Sequence, residues 1–494
     1  MYRTISPQDM REMEKAFMSG TGYPSLLLME HAAQAVVEEI RRRTLRGPVL
    51  FVCGTGNNGG DGCAAARLYR SMGGEARVWL MVNPSQMKGD AGINARLLSV
   101  YGIEERVIYE EIPRIPEDVV LICDAFLGTG LDREVAGPGK TLIDRINESG
   151  RPVVSVDIPS GIEGSTGRVM GCAVRATSTV TFHRTKHGLC LFPGRGYAGE
   201  VRIAEIGIVP DWDGAQGYEV LEREDARALL PKRPREGHKG TFGHLLAIAG
   251  SEGMSGAAVL CARAALRSGA GLVSVACPST VLPVVQTLAP CAMAIAASEG
   301  LTLDTSARVL LEDAVQGKRA LVIGPGLGRS GDTWQAIHEI VEGDSPKVVD
   351  ADGLNLLAEH GGVVGENSVL TPHPGEMARL LGTTVREVTA APVDAALQLS
   401  QETGACVVLK GATTVIAQGE EVTFNLTGCE AMGTGGSGDV LSGVIGGLMA
   451  QGMTPLDAAR CGTYFHGLAG MEAAEKLGSR AVTAMDIVEN LRIE

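Results

Sequence analysis

Residues 54–62 read Gly54-Thr55-Gly56-Asn57-Asn58-Gly59-Gly60-Asp61-Gly62, between an apolar run and a helical pattern over Cys63–Met72. Glycines placed there let backbone N–H groups approach a pyrophosphate at a helix N-terminus, and Gly54-x-Gly56-x-x-Gly59 fits the dinucleotide-binding spacing. The acidic residue that would hold a ribose about 20 residues further on is missing, since the second strand ends at Asn83. Asn57, Asn58 and Asp61 bring more polar chemistry than a tight turn requires. Two more apolar runs end in a carboxylate before a turn: Asp124, ahead of Gly128-Thr129-Gly130, and Asp157, ahead of Pro159-Ser160-Gly161. Ligands of open α/β sheets bind beyond the carboxyl ends of the strands, so the three polar clusters are expected to converge there.

A second group lies downstream. Gly433-Thr434-Gly435-Gly436-Ser437-Gly438-Asp439 opens an apolar helix reaching about Gln451. Glycines at a helix N-terminus form a nest of N–H donors for a polyphosphate, with the helix dipole adding favourable potential. Asp439 is placed to take a proton from a hydroxyl attacking a terminal phosphoryl group. No Gly-x-x-x-x-Gly-Lys-Ser/Thr sequence occurs, which excludes a Walker-type site. His238–Thr241, Gly324–Gly328, Thr371–Glu376 (with His373 in a Pro-Gly turn) and Lys410–Thr414 lie next to other apolar runs, where a nucleotide cleft would be.

The elements that must carry these residues follow from pattern. Ser6-Pro7 opens a helix to about Met18, and Ser25–Arg43 has apolar residues at helical spacing. The Arg41-Arg42-Arg43 run reads as its solvated end. Pro48–Cys53, Arg77–Val82, Val119–Cys123, Val153–Val156 and Thr179–Phe182 read as buried strands of a parallel sheet. The turn-rich stretch Pro210–Gly217 ends this unit. A polar helix from about Arg223 and strands at Leu245–Ala249, Leu272–Ala276, Leu321–Ile323, Val348–Asp350 and Val407–Leu409 build another. With 66 glycines and only 4% aromatic residues, the chain suits repeated tight strand-to-helix turns. Its net charge of −14 opposes nucleic-acid and membrane-surface binding. The 11 cysteines have no Cys-x-x-Cys pair, which disfavours zinc and disulfides and favours a reducing compartment. No signal peptide or membrane span is expected, and the expected location is cytoplasmic.

On the motifs Gly56–Gly62, Asp124–Gly130 and Val156–Ile162, the first half resembles the NAD(P)H-hydrate epimerase domain. That resemblance implies a Rossmann-like three-layer α/β domain over 1–217. Asn58, Asp124 and Ser160 would be ligands of K+. Asn57, Asn58, Gly59, Gly60 and Asp61, with Gly128, Thr129, Gly130, Leu131, Asp132, Arg133 and Glu134, would hold the hydrated dinucleotide, and Asp157 would bind it as catalytic acid/base. Phe182-His183 departs from the family's usual Phe-Gly and reads as loop variation.

The glycine–Asp439 arrangement is similar to the ribokinase-like superfamily. With Gly324–Gly328, His373–Glu376 and Lys410–Thr414 it resembles, more narrowly, the ADP-dependent NAD(P)H-hydrate dehydratase. The implied domain is a C-terminal ribokinase-like α/β domain over 218–494. Lys410, Gly411, Ala412, Thr413, Thr414, Gly435, Gly436 and Gly438 would bind ADP, accompanied by Mg2+. Ala257, Gly326, His373 and Asp439 would contact the hydrate, with Asp439 catalytic. Met254 stands where the family usually has Tyr.

Together the resemblances imply repair of the R and S hydrates of NADH and NADPH (NADHX and NADPHX) by a homo-oligomer, tetramer or larger. Epimerisation would be followed by ADP-coupled dehydration of the S form. The competing readings are a ribokinase-like small-molecule kinase fused to a non-catalytic nucleotide-binding or scaffold module, and an NAD-dependent dehydrogenase. The first leaves Asn58, Asp124, Asp157 and Ser160 unexplained, and the second lacks the ribose-binding carboxylate.

Overall fold

The computed structural model describes residues 1–43, 46–109, 111–209, 212, 214 and 217–494. These fall into two compact units, Arg3–Tyr218 and a second made of Met1–Tyr2 with Glu219–Glu494. Pro210, Asp211, Asp213, Ala215 and Gln216 of the expected linker lie outside the described residues.

The first unit holds a seven-stranded parallel sheet. In spatial order its strands are Glu104–Val107, Ala76–Leu80, Val49–Cys53, Leu121–Ala125, Val153–Val156, Ser178–Phe182 and Glu200–Ala204. The chain runs outward from Val49–Cys53 to one edge, then restarts on its other side at Leu121–Ala125. That reversal leaves a crevice at the strand carboxyl ends, where ligands of such sheets bind. The strands Val49–Cys53, Leu121–Ala125 and Ser178–Phe182 are buried throughout, as a sheet covered on both faces demands. Val36 and Ile40 of helix Ser25–Arg43, with Cys63 and Ala66 of helix Asn57–Ser71, pack in one core cluster. Leu142, Ile143 and Ile146 of helix Gly137–Glu148 pack in another, which completes three layers.

Arg41–Arg43 does form the last turn of its helix, but it is not merely solvated. Arg42 and Arg43 both grip Glu39, whose side chain is 1% exposed, and Arg202 joins them. Burial alone would raise the Glu39 carboxyl; these guanidiniums hold it down at about 2.

The second unit contains an eleven-stranded sheet. Inside its short outer strands the order is Glu421–Asn425, Thr414–Gln418, Cys406–Leu409, Ser368–Leu370, Lys347–Val349, Ala320–Ile323, His244–Ile248, Leu272–Pro278 and Met293–Ser298. The strands from Cys406–Leu409 to Met293–Ser298 are parallel to one another, whereas Thr414–Gln418 runs antiparallel to both its neighbours. The sheet is therefore mixed, because the Lys410–Thr413 turn is too short for a parallel crossover. Helix Ser437–Ala450 packs closely on helix Ser255–Arg267: a Cβ on Gly443 would lie 2.3 Å from the Cys261 carbonyl oxygen. Among the described residues no helix is long and apolar enough to cross a membrane.

Candidate active sites

In the first unit the glycine motif is not a loop preceding a helix. The helix begins at Asn57, not Cys63, with Gly56 extended as its N-cap. A Cβ on Gly59 would lie 2.0 Å from the Gly54 carbonyl oxygen, so the first turn sits against the strand end as only glycine allows. Asn57, Asn58, Gly59, Gly60 and Asp61 are thus carried on helical turns beside the crevice.

Asp124 is the next-to-last residue of the adjacent strand Leu121–Ala125, wholly buried. Its Oδ1 accepts from Ser160 Oγ at 2.5 Å, and its Oδ2 from Ser155 Oγ at 2.8 Å and the Ser160 N–H at 2.9 Å. Burial raises this carboxyl; the bonds from Ser160 and Ser155 pull the other way. Asn58 Nδ2 donates to the Leu127 carbonyl at 3.1 Å, while Asn58 Oδ1 is buried with no hydrogen-bond partner among the described residues. An orphaned amide oxygen beside a buried carboxylate and a hydroxyl is a set of hard oxygen donors, which suits a hard cation. The donors present therefore fit a cation of that kind.

Asp157 follows the strand Val153–Val156 with φ of 64°, an uncommon conformation for a residue with a side chain. Its Oδ1 accepts from Lys186 Nζ at 2.5 Å, Thr181 Oγ1 at 3.1 Å and the Phe182 N–H at 3.3 Å. Lys186 is 1% exposed. All three donors take one oxygen, and Oδ2 accepts none among the described residues. Burial, then the charges of Asp157 and Glu14, push Asp61 well above the usual carboxylate range, against the pull of Lys186. Glu14 is itself raised by burial. It lies on helix Pro7–Thr21, which also sends Arg11 to the Thr129 carbonyl at 3.4 Å. Sequence patterning gave Glu14 no role, because nothing in its spacing ties that helix to strand ends far along the chain.

The remaining residues of the Gly128–Glu134 stretch run from half-buried to exposed, with Asp132, Arg133 and Glu134 in solvent. His183, expected as loop variation, is buried with φ of 60°. Glycine adopts that conformation freely, so the imidazole imposes a backbone cost of about 1–2 kcal/mol.

In the second unit four neighbouring parallel strands deliver all but one of the expected segments to one end of the sheet. His238–Thr241 precedes the parallel strand His244–Ile248, beside the starts of its neighbours, and so lies at the opposite end, away from the cleft. Gly324–Gly328 follows Ala320–Ile323, Thr371–Glu376 follows Ser368–Leu370, and Lys410–Thr414 follows Cys406–Leu409. Between them Lys347–Val349 ends one residue earlier than its pattern suggests, which frees Asp350. Gly326 and Ala257 meet: a Cβ on Gly326 would lie 2.9 Å from that of Ala257 and 2.8 Å from the Met254 carbonyl. Met254 caps helix Ser255–Arg267 and its side chain is exposed.

Gly436 (φ of 92°) precedes helix Ser437–Ala450, and Gly435 beside it is exposed. Asp439 lies in the first turn. Burial and the nearby Asp350, with smaller contributions from Asp352 and Glu376, push its carboxyl up to about 7 against the pull of Lys410. His373 caps helix Pro374–Leu380: its Nδ1 accepts from the N–H groups of Gly375 (2.9 Å) and Glu376 (3.3 Å). Nε2, which lies 3.4 Å from Glu376 Oε1, is the nitrogen left for a ligand. Burial, then the Lys410 and Arg379 charges, lower its pKa against the pull of Asp350. Gly411 and Ala412 are exposed, Thr413 is half-buried, and Thr414 opens its strand. Lys410 is not a free cation. Its ammonium lies 2.8 Å from Asp350 Oδ1 and 3.8 Å from Glu376 Oε2.

Comparison with known proteins places both halves. Residues 25–188 match the family described as YjeF-related protein N-terminus, and residues 245–492 match the NAD(P)H-hydrate dehydratase family. The bifunctional NAD(P)H-hydrate repair enzyme Nnr of Moorella thermoacetica is 39% identical over 99% of this chain and 95% of its own length. The enzyme of the same name from Escherichia coli is 37% identical over 90% of this chain and 84% of its own. Among solved structures, the ADP/ATP-dependent NAD(P)H-hydrate dehydratase of Bacillus subtilis, co-crystallised with ATP/Mg2+, is 30% identical with a TM-score of 0.50. It covers 56% of this chain and 97% of that one. A ribokinase-like superfamily protein of Enterococcus faecalis is similar at 26% identity and a TM-score of 0.51, over 56% and 95% of the two chains.

Proposed function

Since the chain belongs to the bifunctional NAD(P)H-hydrate repair enzyme family, an epimerase domain joined to a dehydratase domain, we propose how its residues divide that work, with the epimerase on 1–217 and the dehydratase on 218–494. The observation carrying the reading is the pair of carboxylates at separate strand-end crevices: Asp157, with one oxygen held and one open, and Asp439, raised to about 7 at a glycine-lined helix N-terminus.

In the epimerase the hydrate lies along Asn57–Asp61 and Gly128–Glu134. C6 of the hydrate bears a hydroxyl and the ring nitrogen, so its configuration inverts by loss and regain of water or by ring opening. Asp157 Oδ2 moves the proton at that hydroxyl. Asn58, Asp124 and Ser160 would hold K+, which when bound supplies fixed positive charge beside the crevice. Replacing potassium with tetramethylammonium is therefore expected to slow R-to-S conversion while dehydration of the S-hydrate stays at its original rate. Time courses on each epimer check this, and unchanged epimerisation goes against the cation site.

In the dehydratase Ala257, Gly326 and His373 Nε2 contact the hydrate. The nucleotide lies along Lys410–Thr414 with its phosphates at Gly435, Gly436 and Gly438, and Mg2+ arrives with it. Hydroxide leaves poorly, so the C6 hydroxyl first attacks the terminal phosphoryl of ADP. Asp439 accepts the hydroxyl proton, AMP departs, and the helix N-terminus receives the developing charge. The ring nitrogen lone pair then expels phosphate from C6, and loss of a C5 proton restores the double bond. ADP is preferred over ATP; steady-state rates with each nucleotide test this.

A base must be ionised to accept a proton. With Asp439 at about 7, dehydration should fall off on the acid side of neutrality, well above the ordinary aspartate range. A pH profile of kcat/KM for the S-hydrate checks it, and an acid limb in the ordinary range contradicts the assignment. Overall function is tested by incubating the full chain with mixed NADHX epimers, ADP and Mg2+, and following recovery of reduced-nicotinamide absorbance.

A further inference from the structure

Asp350 follows the strand Lys347–Val349 at the centre of the dehydratase crevice, and the roles assigned above do not include it. Its side chain is 1% exposed, and its Oδ1 accepts from Lys410 Nζ at 2.8 Å. The backbone around it is tightly fixed. A Cβ on Gly324 (φ of 127°) would lie 1.8 Å from the Asp350 carbonyl oxygen. Ala351, the next residue, has φ of 49° and ψ of −118°, a conformation that residues with side chains keep only where their surroundings over-determine it. On the opposite side, a Cβ on Gly438 would lie 3.3 Å from Lys410 Nζ and 3.8 Å from Asp350 Oδ2. The ion pair thus reaches the first turn of helix Ser437–Ala450, one residue before Asp439.

We infer that Asp350 is a positioning residue for phosphoryl transfer: it anchors the Lys410 ammonium against Gly438, where the ammonium meets the nucleotide phosphates. This rests on the proposed nucleotide site at Lys410–Thr414 and Gly435–Gly438. Lysine is a point charge on a flexible four-carbon stem, so its charge reaches a phosphate reproducibly only if something fixes the head. Burial works against the ammonium, but Asp350 and Glu376 reverse that and keep Lys410 above the usual lysine range. Without Asp350 the nearest remaining anion is Glu376, 3.8 Å away on the side of helix Pro374–Leu380. A charge already in place needs no reorganisation as the phosphoryl group moves. Glycine at 438 leaves the approach between ammonium and helix N–H groups open, since a Cβ there would stand 3.3 Å from the Lys410 ammonium.

The test is a double-mutant cycle in the full chain with Asp350→Asn, Lys410→Met and their combination, reading KM for ADP and kcat for S-hydrate dehydration. Epimerisation and a thermal melt of each preparation check the fold. Asp350→Asn is expected to lower kcat/KM for ADP about tenfold or more, the scale of a lost charge-assisted hydrogen bond. Combining it with Lys410→Met should then be no worse than Lys410→Met alone, because one acts through the other. Asp350→Glu, which keeps the charge, should recover part of the loss. Multiplicative losses in the double variant, or an Asp350→Asn enzyme within about twofold of the parent, overturn the inference. Should Asp350→Asn fail to melt cooperatively, the same cycle run with Asp350→Glu decides by the same criterion. The nucleotide site fails separately: Lys410→Met with an unchanged KM for ADP removes Lys410 from that site. Impaired but independent variants remove only the role of Asp350.

Discussion

Asp439→Asn is expected to lose dehydration of the S-hydrate by about 10²- to 10⁴-fold, the range for removing a general base, while R and S continue to interconvert at the parental rate. Asparagine keeps the size and the position in the first turn of helix Ser437–Ala450, but it cannot take a proton from the C6 hydroxyl. The glycine nest and Lys410 are untouched, so nucleotide binding should survive and the loss should fall on kcat. Epimerisation is spared because its residues belong to the other compact unit. The acid limb assigned to Asp439 should vanish from the residual activity. Dehydration within about threefold of the parent would remove Asp439 as the base.

The second large effect is expected at Asp157. In Asp157→Ala the R-hydrate should be consumed only as fast as it epimerises without enzyme, while the S-hydrate is dehydrated normally. Asp124 is the competing carboxylate, but its two oxygens are already engaged by Ser155 and Ser160, and it is a proposed cation ligand. A cation stabilises the ionised form of the carboxylate it touches, which makes a poor proton acceptor. Asp157 differs in geometry: Lys186, Thr181 and the Phe182 N–H all occupy Oδ1 and leave Oδ2 for the substrate. Fast enzymatic use of the R-hydrate by the variant would refute its role.

Much of this was legible in the sequence where apolar runs end at a glycine or at a charged residue. The runs before Gly54, Asp124, Asp157, Gly324 and Lys410 are the buried strands whose carboxyl ends form the two crevices, within a residue or two of their expected limits. What stayed hidden depends on contacts between segments distant in sequence. Glycine-rich Asn57–Gly62 reads as a loop by local propensity, and only packing against the Gly54 strand end makes it helix. Helix Pro455–Leu477 is rich in small residues and buried over most of its length, so it lacks an amphipathic stripe to betray it. The antiparallel ribbon Thr414–Gln418 and Glu421–Asn425 follows from a short turn that periodicity does not distinguish from a βα connection. Lys410 reads as a solvated or ligand-binding lysine until the fold brings Asp350 against it, and Glu14 reads as one more helix-surface carboxylate.

The central claim is that one chain carries both halves of the repair. It is tested most directly by supplying the pure R-hydrate with potassium, ADP and Mg2+ and following reduced nicotinamide and AMP together. Complete recovery of NADH, faster than spontaneous epimerisation permits and with AMP formed in equal amount, is the result these sites predict. Recovery held to the spontaneous rate, or proceeding without AMP, would contradict it.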